Sequence, residues 1–202
     1  KNAFERAYHL LQHAPLKKLV ASYFSGLEDN LGLAVCLPVD GLHVDLVRAP
    51  EQLPLLLDRL PSYKVLSLGV VNGRNVWRCD LDQALGQLQQ AQLRFGDNLW
   101  VAGSCSLLHS PVDLAREEQL ATLSTALNDP QSAAVQAALA ESRAVQASRA
   151  SSPRIHKAAV QARLNAIIPA DSQRLSPFAE RIEKQRARLQ LPAFPTTTIG
   201  SF

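Results

Sequence analysis

Four short runs of strand-forming residues, each followed by a stretch that reads as helix or turn, most limit what this chain can fold into. They are Lys18–Phe24, ending at Gly26; Gly41–Arg48, closed by Ala49-Pro50; Lys64–Val71, ending in the turn Asn72-Gly73; and Asn98–Ser104. Helical stretches are expected from Asn30 to Leu37, from Glu51 to Leu60 with Pro50 placed to open the helix, and from Leu81 to Phe95. The last has Asp80 as its N-cap and apolar residues at Leu81, Leu85, Leu88, Ala91 and Phe95. Strands separated by helices pair in parallel through right-handed crossovers. Their content of buried-type residues fits a sheet covered by helices on its outer face. A (β/α)8 barrel has eight such units and a doubly wound sheet five or six. No glycine-rich dinucleotide fingerprint follows any strand, which removes the usual support for the doubly wound option. The expected fold is therefore α/β, a partial TIM-type barrel of about four βα units. Half a barrel leaves two strand edges and its interior uncovered, so the remaining strands are expected upstream in a parent protein.

From about Asp113 onward the pattern is helical only. Segments near Ser132–Gln146, Arg154–Ile167 and Pro177–Leu189 are divided by Ser151-Ser152-Pro153 and Pro169-Ala170-Asp171. This reads as an arm able to connect two domains. It ends at Leu191-Pro192-Ala193-Phe194-Pro195, and Thr196–Phe202 then reads as the opening strand of a second domain. The expected organisation is a half-barrel over residues 1–126, a helical linker over 127–190 and the start of another barrel over 191–202. Charge follows the same division. The net charge is only +3, yet Glu141–Gln190 holds ten Lys/Arg against four Asp/Glu. Interspersed with Ala and Gln, those charges describe a solvated helix surface rather than a nucleic-acid interface. Aromatic residues, at 5%, provide no stacking platform for single strands. No apolar run is long enough to span a bilayer, and Lys1-Asn2-Ala3-Phe4-Glu5 does not read as a signal peptide. Three widely spaced cysteines without a CxxC suit a reducing compartment. The expectation is a soluble, cytoplasmic protein that binds neither nucleic acid nor membrane.

Barrel chemistry gathers at the C-terminal ends of strands, where this chain carries His43, Asp45, Cys105 and His109. The spacing of Cys105 and His109 fits no standard zinc pattern. His43 and Asp45 alternate on one strand face and are expected to satisfy buried hydrogen bonds. Packing and capping account for Arg74 and Asn75. Ser104 and Ser106 lie near His109, but no third orienting group stands at a readable spacing. Trp77 and Trp100 are expected to anchor the core.

Several motifs carry a resemblance. Leu191-Pro-Ala-Phe-Pro-Thr-Thr-Thr-Ile-Gly-Ser-Phe202 resembles the start of the catalytic barrel of cobalamin-independent methionine synthase. Gly41-Leu-His-Val-Asp-Leu46, Asn72-Gly-Arg-Asn-Val-Trp-Arg78 and Ser104-Cys-Ser-Leu-Leu-His-Ser-Pro111 are similar, in order, to that family's amino-terminal barrel. Arg154-Ile-His156 and Asp171-Ser-Gln-Arg174 are similar to its linker. The resemblance implies a two-barrel methyltransferase of methionine biosynthesis, cytoplasmic and monomeric. It moves the methyl group of 5-methyltetrahydrofolate polyglutamate to homocysteine, held as a thiolate on zinc. It also implies homocysteine binding by Ile199, Gly200 and Ser201. No catalytic or metal-ligating residue of the family falls within this sequence: the zinc ligands are expected beyond Phe202 and the basic folate contacts before Lys1. The isolated piece is therefore expected to be inactive. Its alternative is a non-catalytic module binding folate polyglutamate or a partner protein, for instance through the turn at Arg74 and Asn75. Around Leu120-Ala121 the sequence is shorter than the family pattern, so the helix Asp113–Leu120 is expected to be interrupted there, with residues omitted from the sequence.

Overall fold

A computed structural model describes residues 1–110 and 114–196. Contacts divide the chain into two compact units, Lys1–Ser151 and Ser152–Phe202.

In the first unit, strands β1 (Leu19–Ser22), β2 (Gly41–Asp45), β3 (Val65–Val71) and β4 (Leu99–Gly103) form one sheet. Their order is β1-β2-β3-β4, and every pair is parallel. An order that never reverses lacks the switch point of a doubly wound sheet and steps round in one direction, as an arc of a barrel does.

The register explains the two faces. Leu42 pairs with Leu66 and Val44 with Leu68, and all four are fully buried. They meet the apolar stripes of α2 (Leu31–Cys36), α3 (Leu53–Arg59), α4 (Leu81–Phe95), α5 (Ala115–Asn128) and α6 (Ala133–Ser151) in one core. Each buried leucine there contributes about 1.5–3 kcal/mol. The alternate residues share the opposite face: Ala21 pairs with His43, His43 with Ser67, and Ser67 with Trp100. This row explains why Trp100 is not the core anchor its size suggests. It lies on edge strand β4, on the face away from the helices, and is 53% exposed. Trp77 is also exposed, in the loop after β3, where the Arg149 guanidinium stands 4.9 Å from its ring centroid.

Helix α4 has the expected bounds. The Asp80 carboxylate accepts from the Gln83 N–H at 3.1 Å, and Leu81, Ala84, Leu85, Leu88, Ala91 and Phe95 are its buried residues. Helix α5 runs unbroken through Leu120-Ala121, with Thr122 and Thr125 hydroxyls donating to the carbonyls of Glu118 and Ala121. The interruption expected at that junction is absent, since Leu123 and Ala126 carry the same buried face onward.

The contact boundary falls at Ser151 because α6 packs on α4 and α5, burying Val135 and Leu139. The Ser142 hydroxyl accepts from the Leu81 N–H at 3.2 Å and donates to the Cys79 carbonyl at 3.2 Å. Arg143 makes a two-pronged bond to Asp82, both contacts at 2.7 Å. The stretch read as linker from residue 127 thus begins with helix that belongs to the first unit. Ahead of β1 stands a helix the sequence reading passed over, α1 (Asn2–Leu11), none of whose residues is buried.

The second unit carries α7 (Ala158–Asn165) and α8 (Phe178–Leu189), joined by a 3-10 turn at Pro169–Ser172. The strand expected at Thr196–Phe202 lies, apart from its first residue, outside the described residues. No helix among the described residues is long and apolar enough to cross a membrane.

Candidate functional site

The C-terminal ends of the four strands converge on a rim, and its polar groups are tied to one another. Asp45 closes β2 and is 1% exposed. Its Oδ1 accepts from the N–H groups of Val47 and Arg48, both at 2.9 Å, and its Oδ2 from that of Phe24 at 3.0 Å. One carboxylate therefore fixes the turns after both β1 and β2. Beside it, the Gln52 side chain donates to the Asp45 carbonyl and accepts from the Leu27 N–H. Phe24 sits at φ 73°, a left-handed backbone uncommon for an aromatic residue and a marker of imposed geometry.

Below the rim, His43 Nδ1 and Ser67 Oγ are 2.9 Å apart and both residues are buried. Burial holds the His43 imidazole below its ordinary range, opposed in part by a bond with the Ser104 backbone and the charge of Asp45. A folded-state value below 6.5 means the unfolded chain binds the proton more readily. His43 thus contributes stability that is present above that value and lost as pH falls through the window beneath it. Replacing His43 with Asn should flatten the fall in urea midpoint between about pH 7 and pH 5 relative to wild type. Parallel curves for the two proteins would refute this.

At the β3 end, Gly73 lets the turn approach β4. A Cβ there would lie 2.9 Å from the Cys105 carbonyl oxygen and 3.0 Å from its Sγ. The Gly73 N–H donates to Ser104 Oγ at 3.2 Å, and Asn72 and Asn75 bond back to the N–H groups of Arg74 and Trp77. Arg116 of α5 clamps the same loop, with Nε and Nη2 donating to the Asn75 carbonyl at 3.2 and 2.7 Å. The Arg74 guanidinium lies 4.7 Å from the Phe24 ring centroid, and the His109 ring meets the same phenyl edge-on at 5.6 Å. Ser106 uses its hydroxyl to cap the Leu108 N–H.

These partners define the available chemistry. Ser104 and Ser106 are engaged with backbone. Cys79 Sγ points at the Val70 carbonyl, and burial pushes its thiol up to about 11, so it is neither a ready nucleophile nor a ready metal ligand near neutrality. Among the described residues, no three His, Cys, Asp or Glu side chains converge to hold a metal. The described residues therefore offer zinc no ligand set. Ile199, Gly200 and Ser201, expected to bind homocysteine, lie outside the described residues. Sequence reasoning missed Arg116 and Ser142, whose partners lie far away in the chain, and Gln52, which ties Leu27 to Asp45.

The fold and rim define a class: a parallel α/β unit wound in one direction, whose described strand C-termini carry turns held by side-chain bonds. Residues 1–95 match the family model described as cobalamin-independent synthase, N-terminal domain. Those residues run from α1 to the last residue of α4, and the match is in line with the methionine synthase resemblance of the strand motifs.

Proposed function

We propose that this chain forms the latter part of the amino-terminal (β/α)8 barrel, the helical linker and the first strand of the catalytic barrel of a cobalamin-independent methionine synthase. The parent enzyme would move the methyl group of 5-methyltetrahydropteroyltri-L-glutamate to L-homocysteine, giving L-methionine. The observation carrying this reading is the family match over residues 1–95 on a sheet of four parallel strands in unreversed order. Zinc and folate enter through the parent. No step of the transfer is assigned to a described side chain, because the rim groups are engaged in holding turns. The role of this segment is scaffolding, with Ile199, Gly200 and Ser201 as its contribution to homocysteine binding.

The test uses a full-length protein containing this sequence, supplied with zinc, homocysteine and the methyl-folate triglutamate. Methionine formation is expected, and Ser201→Ala should raise the KM for homocysteine about tenfold while leaving zinc content unchanged. Absence of methionine formation by the zinc-loaded wild type would overturn the assignment. Parallel loss of zinc in the variant would remove Ser201 from the homocysteine site.

A further inference from the structure

We propose that Asn72-Gly73 is a self-modification site, a deamidation site that the folded rim holds closed and that opening of this turn releases. The inference stands apart from the methyl-transfer reading, since it rests on the turn after β3 alone.

Asn72-Gly73 is the one Asn-Gly pair in the sequence. Asparagine is thermolabile, and a glycine after it leaves the next backbone nitrogen without a Cβ to shield it. In the reaction that nitrogen loses its proton to base and attacks the Asn72 side-chain carbon. A C–N bond forms, the bond to the amide NH2 breaks, and ammonia leaves with the proton. Water then opens the cyclic imide at either carbonyl, giving aspartate or an isoaspartyl linkage at position 72. Water enters and ammonia leaves, with no redox change.

The fold opposes each step. Gly73 is buried, and its N–H, the group that must give up its proton, donates to Ser104 Oγ at 3.2 Å. Ser104 is 3% exposed and is itself anchored, its N–H donating to the Val71 carbonyl at 2.7 Å. Asn72 Oδ1 accepts from the Arg74 N–H at 2.9 Å, which holds the side chain in one orientation. Ring closure also has to rotate the peptide between Asn72 and Gly73, and the space there is filled. A Cβ on Gly73 would lie 2.9 Å from the Cys105 carbonyl oxygen and 3.2 Å from that of Ser106. Reaction therefore runs through the opened turn, and its rate follows the fraction of time the turn is open. The isoaspartyl product cannot return to the same packing, because it adds a backbone atom where not even a methyl group fits.

The test incubates the 202-residue chain in mildly alkaline buffer, with and without concentrated urea. Peptide mapping that separates the asparagine, aspartate and isoaspartyl forms follows position 72. Folded wild type should convert at least about tenfold more slowly than unfolded wild type. Ser104→Ala removes the acceptor of the Gly73 N–H, so it should raise the folded-state rate about tenfold and leave the rate in urea unchanged. Ser106→Ala, whose hydroxyl bonds Leu108 rather than Gly73, should leave both rates unchanged. Amide exchange at Gly73 in wild type needs no variant, and its protection should match the slowing of deamidation. The proposal is overturned if wild type deamidates equally fast with and without urea. It is equally overturned if Ser104→Ala folds and reacts at the wild-type rate, or if Gly73 exchanges as freely as an unfolded amide.

Discussion

Replacing Asp45 with Ala is expected to remove about 3–5 kcal/mol of stability, because it leaves three backbone N–H groups in a closed site without an acceptor. The donors are those of Phe24, Val47 and Arg48, at 2.9–3.0 Å from a carboxylate that is 1% exposed. Each orphaned donor costs about 1–3 kcal/mol, and water entering the vacated space recovers part of it. Against a typical domain stability of about 5–15 kcal/mol, the loss is a large fraction of the whole. Asp45→Asn should cost roughly half as much, since the amide keeps one accepting oxygen and turns an NH2 toward a donor. Asp58→Ala, an exposed acidic change on α3, should stay within about 0.5 kcal/mol of wild type. Urea midpoints read the ranking, and amide exchange should quicken first at Phe24, Val47 and Arg48. An unchanged midpoint for Asp45→Ala would show that these three bonds do not hold the rim.

Asp45 and His43 show which parts of such a site can be read from sequence. Two polar residues spaced by two in an otherwise apolar strand must share one face, and burial then requires partners. The pattern identifies the need but not the donors, which come from turns after two different strands. Asp80 was legible for a simpler reason. An N-cap bonds a backbone group three residues along, so sequence distance and spatial distance coincide. Ser142 caps the same helix end from 61 residues away, and nothing local in α6 distinguishes it from other serines. The two tryptophans illustrate a different limit. Side-chain size favours burial in general, but Trp100 belongs to an edge strand, and period-two alternation puts it on the face without helices. Helix α1 escaped notice because an amphipathic pattern is a weak signal over ten residues with no cap bond.

Gly69 is the position where sequence gives least warning and the structure demands most. Within β3 it reads as a weak point among apolar neighbours, yet its backbone packs directly against that of β2 and of the end of β4. A Cβ at Gly69 would stand 2.7 Å from the Ser104 Cα, 2.9 Å from the Val44 carbonyl oxygen and 3.0 Å from that of Gly103. All three are backbone atoms, so no rotamer change relieves the clash. The strands would have to part where the pairing register already shifts, between Gly69 and Val71. Ser104 would move with them, along with its bond from the Gly73 N–H and the turn that presents Arg74. Gly69→Ala is therefore expected to cost about 3 kcal/mol or more, the upper part of the range for overpacking. Gly86 provides the matched comparison. It lies within α4, and a Cβ there meets nothing within 4 Å. Gly86→Ala should stabilise the chain by about 0.5–1 kcal/mol, as alanine does in an open helical position. The same added methyl group thus moves the urea midpoint in opposite directions at two sites 17 residues apart in sequence. If Gly69→Ala unfolds at the wild-type midpoint, the strands at the rim are not packed backbone to backbone.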